Sequence, residues 1–460
     1  MFINDDYNKK YKLNIVIAGA GKVGFFLAKE LMEDNEVTLI DSNEGTIKNL
    51  EESLDVLTIY GDVEDPNLYK NIQKDVDLFV AVTNSDEVNL LSSLIIDNIV
   101  DVKKKIVRLR NNFFINDNIK RKLNISTMIT PAIDVAQNFK YLIDFPHISN
   151  IKTFEQTEAL LLSIRAHDEF GDTSIYDFIH KYNNKIVVAG IERKSQFFVP
   201  DETEMIQPRD VIYFFLFPEA VNSIREKICD EVDNKPLKNC IIYGATQLGM
   251  EIAKVLAKKG LNIKLIDKSL ENCQHANTTL KNSIEVIKSN YNNLDVVLDS
   301  FTGEIDLFVA ATTDDEFNII KCIEAKQKGV KKIVGIYNNN QYATLMRRLG
   351  IEVVRGEKMN AYFTILEKIN STKLVTQKAY CNGAGTVCLR KIYSASKLID
   401  TKPFISDKLN KKGSFYVLRD EKFILYKDIG KLHEGDIIIA FMKKDDSKLI
   451  TTWLKQNDSE

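Results

Sequence analysis

The chain has 460 residues, which is too long for a single hydrophobic core and predicts roughly two to four domains. Hydrophobic residues make up 44% of it and charged residues 28%, and the net charge of −3 gives no electrostatic indication of nucleic-acid binding. No apolar stretch approaches the roughly 20 residues that span a bilayer, so we expect no direct membrane insertion.

Residues 12–145 alternate short apolar segments with helical patterns and are predicted to form one domain. Apolar segments such as 77–82 lack a polar face, which is typical of parallel strands covered on both sides by helices. This pattern predicts a doubly wound Rossmann-like sheet. The predicted strands lie near 14–18, 36–40, 56–59, 77–82, 104–109 and 126–129. The predicted helices lie near 22–33, 43–52, 66–72, 86–98, 113–122 and 131–144.

The first predicted strand runs directly into a glycine-rich turn. Gly19 allows the tight turn, Gly21 lets a pyrophosphate approach the backbone, and Gly24 lets the following helix pack on the strand. Free N–H groups at the start of that helix favour phosphate, and Lys22 either adds charge there or is a solvated surface lysine. The candidate phosphate-binding residues of this turn are Gly19, Ala20, Gly21, Lys22, Val23 and Gly24.

Polar side chains follow other predicted strands at the same carboxyl edge of the sheet. Asp41 is expected to bind the adenosine ribose, which disfavours a 2′-phosphate and therefore favours NAD(H), ATP or ADP. Thr83 and Asn84 either contact ribose or phosphate or cap the next helix. Asp62 and Arg108 end two further strands, and the arginine either binds a phosphate or forms a surface salt bridge.

The next segment, 151–230, has a different pattern. Apolar and polar residues alternate over short stretches such as 187–191 and 211–214, which predicts a small antiparallel sheet. Linkers are predicted at 146–153, 230–236 and 370–376.

The whole arrangement occurs twice along the chain. Gly244 and Asp267 repeat Gly19 and Asp41 at a nearly constant offset, and a Thr-x-x-Asp-Glu-x-Asn pattern at 83–89 returns at 312–318. Small-sheet segments return at 415–418 and 437–440. The sequence predicts an α/β protein with two doubly wound parallel Rossmann-like domains, 12–145 and 237–369, each followed by a small α+β domain, 151–230 and 376–458.

The second glycine turn departs from the first. Thr246 replaces the middle glycine, and its branched side chain is expected to crowd a pyrophosphate. Arg108 is aligned with Gly335, and Gly61-Asp62 with Ser289-Asn290. We expect the second half to serve mainly as a scaffold, with Asp267 retained as a candidate nucleotide ligand.

The tandem order, the first glycine turn, Asp41, Gly61-Asp62 and the Thr-x-x-Asp-Glu-x-Asn pattern resemble the TrkA family, over about residues 12–445. Members are peripheral regulatory subunits built from RCK (also called KTN) domains. The resemblance implies a cytoplasmic homotetramer without catalytic or metal sites, held at the inner membrane face by a Trk-type potassium channel-like subunit. It implies that one adenine nucleotide, NAD(H), ATP or ADP, binds each first Rossmann-like unit and gates potassium uptake through a conformational change. The binders it implies are Gly19, Gly21, Gly24, Asp41, Asp62, Thr83, Asn84 and Arg108.

Alternative functions stay open at the level of sequence. An NAD-dependent oxidoreductase needs an acid–base residue near the nicotinamide, and His275, in the second half, is the one histidine of a predicted Rossmann-like unit. A regulator of a potassium efflux system or channel would use the same domains with another membrane partner. The recurring pairs Arg193/Asp210 and Arg419/Asp436 are explained more simply by turn-closing salt bridges than by a second-messenger site.

Overall fold

The computed structural model describes residues 12–70, 72, 75–144, 148–154, 156–167, 173–181, 185–228, 237–289, 304–371, 375–394 and 396–455. These residues form two compact units. The first contains the described residues up to Val135 together with Gly356–Leu366, and the second contains the remaining described residues. None of the helices within these ranges combines the length and apolar character needed to cross a bilayer.

The first unit is built on a parallel sheet, which confirms the predicted doubly wound fold. Ile15, Val16 and Ile17 of its central strand are fully buried, as expected for a strand covered on both faces. Among the described residues, the strands in spatial order are β3 (Leu57–Tyr60), β2 (Glu36–Asp41), β1 (Asn14–Ala18), β5 (Leu78–Ala81), β7 (Lys105–Arg108) and β8 (Thr127–Ile129). A separate parallel pair consists of β4 (Asp75–Val76) and β6 (Asp101–Val102).

The helices between and after these strands lie close to their predicted positions, with one correction. The predicted helix at 113–122 begins only at Asp117, because Asn116 has an extended backbone and its side chain accepts from the N–H of Asn118. A short 3-10 turn at Asn112–Phe114 precedes it. The helices are α1 (Lys22–Leu31), α2 (Glu44–Ser53), α3 (Pro66–Tyr69), α4 (Asp86–Asp97), α5 (Asp117–Lys122) and α6 (Pro131–Asp144).

The first small domain contains an antiparallel sheet that includes a strand missed by the sequence analysis. The segment predicted as a linker at 146–153 is largely a strand, since Ile148–Phe154 pairs with the neighbouring strand of the sheet. Two register shifts in this pairing break the alternation of apolar residues that would have indicated a strand in the sequence. In the described part of this domain the spatial order is β13 (Gln196–Phe198), β12 (Ile186–Arg193), β15 (Val211–Leu216), β10 (Thr157–Arg165) and β9 (Ile148–Phe154). The remaining elements are β11 (Thr173–Ser174), β14 (Met205–Ile206), α7 (Ile175–Lys181) and α8 (Val221–Ile228).

The second Rossmann-like sheet repeats the order and the parallel pairing of the first. Its described strands are, in spatial order, β18 (Glu285–Lys288), β17 (Asn262–Asp267), β16 (Asn239–Tyr243), β19 (Leu307–Ala310), β20 (Lys332–Tyr337) and β21 (Glu352–Arg355). The described helices between its strands are α9 (Gln247–Lys258), α10 (Leu270–Thr279), α11 (Asp315–Gln327) and α12 (Asn340–Arg348). Helix α13 (Glu357–Asn370) follows the last strand along the chain, and its residues up to Leu366 belong to the first unit. The linker predicted at 230–236 lies outside the described residues.

The second small domain again contains an antiparallel sheet. The linker predicted at 370–376 overlaps its first strand, which already begins at Val375 because that residue pairs with Arg390. The described strands are, in spatial order, β22 (Val375–Tyr380), β23 (Gly385–Lys391), β26 (Ile437–Lys443), β24 (Gly413–Arg419) and β25 (Lys422–Leu425). The helices are α14 (Asp407–Asn410) and α15 (Ser447–Lys455).

The two small sheets share a hydrophobic core. Phe215 of the first sheet has its ring centroid 5.6 Å from that of Phe441 in the second, and both are fully buried. The hydroxyl of Tyr380 donates to the carbonyl of Ala189 at 2.6 Å. The fold class predicted from the sequence is therefore confirmed, with the two small domains packed on each other.

Candidate nucleotide-binding site

The first glycine turn has the geometry that its sequence predicts. Gly19 has a φ of +101°, and a side chain there would approach the backbone N of Thr83 to 2.9 Å. A Cβ on Gly24 would lie 2.0 Å from the carbonyl oxygen of Gly19. Neither position therefore accepts a side chain without movement of the backbone. Ala20 and Val23 are buried, so their side chains support the turn.

The start of helix α1 is open. Gly21 is the N-cap residue, makes no side-chain cap, and has no atom within 4 Å of the place that a Cβ would occupy. The first N–H groups of a helix have no partner within the helix, and they attract anions through the helix dipole. Lys22, the first helical residue, is exposed beside them. This end of the helix can accept a phosphate group.

Asp41 holds the turn in place. One carboxylate oxygen accepts from the N–H of Ala20 at 2.7 Å, and the other accepts from the N–H of Asn43 at 2.8 Å. Each carboxylate oxygen has further lone pairs, and the residue is half-buried rather than enclosed. Asp41 therefore has remaining capacity for the hydroxyl groups of a ribose.

The polar residues after strand β5 form a connected network. The hydroxyl of Thr83 donates to the side-chain oxygen of Asn89 at 2.7 Å, so Thr83 does not cap helix α4. Ser85 is the cap, since its hydroxyl accepts from the N–H of Val88. Asn84 is exposed.

Arg108 is the most unusual residue of this edge. It is only 4% exposed, and its Nε atom is buried with no hydrogen-bond partner among the described residues. Burial lowers the pKa of its guanidinium, whereas the carboxylates of Glu357 and Asp86 act to raise it. The alternative of a surface salt bridge is wrong, because the side chain is not on the surface. A buried guanidinium with an unsatisfied donor fits an anionic ligand.

Asp62 and Asp86 have structural roles at the same edge. Asp62 is exposed, and its carboxylate accepts from the N–H of Glu64 at 2.9 Å, which closes the turn after strand β3. Asp86 was not among the residues predicted to bind a ligand. It is buried and accepts from the N–H groups of Arg110 and Asn111 at 2.7 and 2.9 Å. The recurrence of this aspartate in the second half of the chain is the sequence feature that could have indicated its structural role.

The second glycine turn has the same backbone but is closed by a side chain. The N–H of Ala245 donates to Asp267 at 2.8 Å, as Ala20 does to Asp41 in the first half. The hydroxyl of Thr246 accepts from the N–H of Gly249 at 3.1 Å and donates to the carbonyl of Ala311 at 3.0 Å. The threonine therefore caps helix α9 where the first half leaves helix α1 uncapped.

One alignment from the sequence analysis is wrong. Ala81 pairs with Val107 in the first sheet and Ala310 pairs with Gly335 in the second, so Gly335 corresponds to Val107. The structural counterpart of Arg108 is Ile336, one residue further along. An apolar residue still replaces the arginine. The N–H of Ser289 donates to the carbonyl of Asp267, as the N–H of Gly61 donates to that of Asp41. Asn290 lies outside the described residues.

The recurring pairs in the small domains are salt bridges, as the simpler interpretation predicted. Arg193 donates to both carboxylate oxygens of Asp210 at 2.9 Å. Arg419 binds Asp436 in the same way at 2.8 and 2.6 Å. Within the described residues, no cluster of three or more histidine, cysteine or acidic side chains is arranged to hold a metal ion.

Comparisons with known proteins agree with this architecture. The family model described as the TrkA-N domain matches residues 15–131 and 240–355, about half of the chain. The Trk system potassium uptake protein TrkA of Vibrio alginolyticus is 22% identical over 446 residues, covering 94% of this chain and 96% of that protein. The TrkA homolog of Archaeoglobus fulgidus is 26% identical over 369 residues, covering 79% of this chain and 83% of that protein.

Solved structures share the fold. The crystal structure of the GsuK RCK domain superposes with a TM-score of 0.64 at 13% identity, covering 98% of this chain and 96% of that one. The GsuK channel bound to NAD superposes with a TM-score of 0.63 at 14% identity, covering 98% of this chain and 80% of that one. The resemblance noted in the sequence is confirmed, and the chain belongs to the TrkA family, with one TrkA-N domain in each half.

Proposed function

We propose that this chain is a nucleotide-sensing regulatory subunit that controls a membrane potassium-uptake channel or transporter from the cytoplasmic side. The potassium-uptake part of the proposal is supported by the names of the relatives it matches. The nucleotide part is supported by solved RCK-containing neighbours that carry NAD and ADP. The chain acts as a homotetramer with a Trk-type membrane subunit and has no catalytic role.

The contrast between the two helix starts carries the proposal. Helix α1 begins at Gly21 with free N–H groups and open space, whereas helix α9 begins with the hydroxyl of Thr246 in the corresponding place. A phosphate has access to the first helix and competes with a side chain at the second. Each chain therefore binds one adenine nucleotide, NAD(H), ATP or ADP, in its first half.

The proposed contacts follow from the chemistry of each group. The start of helix α1 and the guanidinium of Arg108 hold phosphate oxygens, and Asp41 accepts from the ribose hydroxyls. Asp267 is assigned no nucleotide contact and only supports the second glycine turn by accepting from the N–H of Ala245. The nucleotide-binding set is Gly19, Ala20, Gly21, Lys22, Val23, Gly24, Asp41, Asp62, Thr83, Asn84 and Arg108.

Control of ion flux requires that the nucleotides differ in their affinity for two states of the assembly. A coupling free energy of about 1–3 kcal/mol is typical of such regulation. ATP and ADP differ in charge at their phosphates, and Arg108 is the buried cation available to sense that difference.

The first test is a titration of the purified chain with ATP, ADP, NADH and NAD, for wild type, Asp41→Ala and Asp267→Ala. Both variants lose a bond to their glycine turn, at 2.7 and 2.8 Å respectively, so they are matched for damage to the fold. We expect Asp41→Ala to lose binding by about tenfold or more, because it also loses the ribose acceptor. Asp267→Ala should keep wild-type affinity. Equal affinity in both variants would contradict the assigned site.

The second test measures potassium flux in vesicles that contain a Trk-type membrane subunit and this chain. We expect the nucleotides that bind to change the flux, and Arg108→Ala to remove the difference between ATP and ADP. Nucleotide-independent uptake would overturn the regulatory role. A response restricted to efflux would assign the chain to the other class of potassium system.

A further inference from the structure

We propose that Asn89 is a positioning residue that holds Thr83 and Arg108 in the geometry that the nucleotide requires. The inference rests on the proposed function, because it concerns the same site. Asn89 lies on helix α4, was not among the predicted ligands, and is only 1% exposed. It therefore acts through its neighbours rather than by contact with the nucleotide.

Asn89 uses its whole side-chain amide to join two strand ends. Its oxygen accepts from the N–H of Thr83 at 2.8 Å and from the hydroxyl of Thr83 at 2.7 Å. Its nitrogen donates to the carbonyl of Thr83 at 3.2 Å and to the carbonyl of Arg108 at 2.9 Å. Such a buried and satisfied amide fixes both backbones, because moving either strand end leaves a polar group unpaired.

The two strand ends held by Asn89 lie side by side next to the glycine turn, because the spatial order of the strands is β1, β5, β7. A side chain on Gly19 would approach the N–H of Thr83 to 2.9 Å, so Thr83 is directly against the turn. The carbonyl of Arg108 is held on the other side of the same amide, and its guanidinium carries the unsatisfied Nε. Asn89 thus sets the separation between the turn and the buried cation.

The network also decides what Thr83 can offer to a ligand. Two acceptors for its hydroxyl proton lie within the protein, the side-chain oxygen of Asn89 at 2.7 Å and the carbonyl of Ser85 at 3.3 Å. Its backbone N–H also points to Asn89. Thr83 is therefore an acceptor toward the ligand, which suits a ribose hydroxyl and not a phosphate oxygen.

The second half of the chain contains a matched control for Asn89. Asn318 makes the same four bonds in the second half, to the N–H, hydroxyl and carbonyl of Thr312 at 3.0, 2.6 and 3.1 Å and to the carbonyl of Ile336 at 3.0 Å. It is fully buried as well. In that half, the held residue is apolar and the turn is closed by Thr246, so the network there supports only the fold.

The test compares Asn89→Ala with Asn318→Ala in the full chain, by thermal unfolding and by calorimetric titration with ADP and NADH. Because both variants lose the same set of bonds, we expect the unfolding temperature to fall by a similar amount in both. The dissociation constant should rise by about tenfold in Asn89→Ala alone, because a misplaced contact group loses much of its interaction. Wild-type binding tests the proposed function, and the comparison of the two variants tests the positioning role.

Two results would overturn the inference. One is wild-type affinity in a folded Asn89→Ala protein, and the other is an equal loss of affinity in both variants, which would mean that the network acts only through general stability. If Asn89→Ala does not fold, Asn89→Ser and Asn318→Ser, which keep a small polar group in the cavity, give the same comparison.

Discussion

Arg108 combines an unfavourable burial in the fold with a proposed role in binding the phosphates of the ligand. Its side chain is 4% exposed, and the buried Nε has no partner among the described residues. Leaving a buried N–H donor without a hydrogen-bond partner costs stability, and so does burying the charge that carries it. A residue that weakens the ligand-free protein is expected to act when the ligand is present.

We therefore predict opposite effects for Arg108→Met. The ligand-free protein should become more stable by about 1 kcal/mol, because the change removes a buried charge whose Nε donor has no partner among the described residues. ADP affinity should fall by about tenfold or more, because the phosphates lose a charged donor. Thermal unfolding with and without ADP measures both effects.

Arg390 is the matched control for this prediction. It is also buried, at 1% exposure, but its guanidinium donates to the carbonyl of Leu454. Arg390→Met should destabilise the protein and leave ADP affinity unchanged. If Arg108→Met destabilised the ligand-free protein as Arg390→Met does, Arg108 would be a structural residue.

At the scale of elements, helices α1 and α9 differ mainly in how they begin. Both follow a strand and a glycine with positive φ. Both also pack closely, since a Cβ on Gly24 would lie 2.0 Å from the carbonyl oxygen of Gly19, and a Cβ on Gly249 would lie 1.9 Å from that of Gly244. Thr246 satisfies its helix with its own hydroxyl, whereas Gly21 leaves the helix start unsatisfied. A single position therefore determines whether the helix dipole is available to a ligand.

Gly21→Thr should cap the start of helix α1 with a side-chain hydroxyl, as Thr246 caps helix α9. The backbone at Gly21 has φ −62° and ψ −174°, close to the −74° and 170° of Thr246, and a Cβ there meets no neighbour. We expect the ligand-free protein to gain roughly 0.5 kcal/mol from the new cap and the stiffer unfolded chain. Nucleotide binding should be lost, as measured by titration with ATP and NADH.

The reverse change, Thr246→Gly, serves as its control. It removes the cap of helix α9 and the bond to Ala311, and it should lower the stability by a few tenths of a kcal/mol. It should leave the affinity of the first half unchanged. Retained nucleotide binding in Gly21→Thr would show that the start of helix α1 is not the phosphate site.

At the scale of the whole molecule, the two small domains depend on a common core. Phe214 and Phe215 are neighbours on strand β15, and they point to opposite faces of the sheet. Phe215 packs against Phe423 and Phe441 of the second small sheet, whereas Phe214 packs against Phe178 of its own domain. The duplicated modules are thus joined by one face of each sheet.

Phe215→Ala should destabilise both small domains at once. Loss of a buried phenylalanine costs about 3–5 kcal/mol, and here the cavity lies between the two sheets. Hydrogen exchange should accelerate in strands of both domains. Phe214→Ala removes the same side chain from the same strand, but faster exchange should stay within the first small domain. Exchange confined to one domain in both variants would contradict the common core.

The repeated patterns determined the architecture, because strand periodicity, glycine turns and acidic strand ends depend on local geometry. The sequence thus predicted the two Rossmann-like sheets, the two small sheets and the turn that Asp41 supports. It did not predict strand β9, because register shifts hide its alternation. It also aligned Arg108 with Gly335, one residue before the true counterpart, because the numbering offset between the two halves changes within the sheet.

Only the tertiary structure decided how the polar residues of the site are used. Thr83 looked like a helix cap or a ligand, but Asn89 accepts its hydroxyl proton across the loop. For Arg108 the sequence left a phosphate ligand and a surface salt bridge open, but the fold buries the side chain, and its Nε has no partner among the described residues. Hydrogen-bond partners and burial depend on what packs from distant parts of the chain. A linear pattern therefore selects candidate residues, and packing determines which contacts each of them makes.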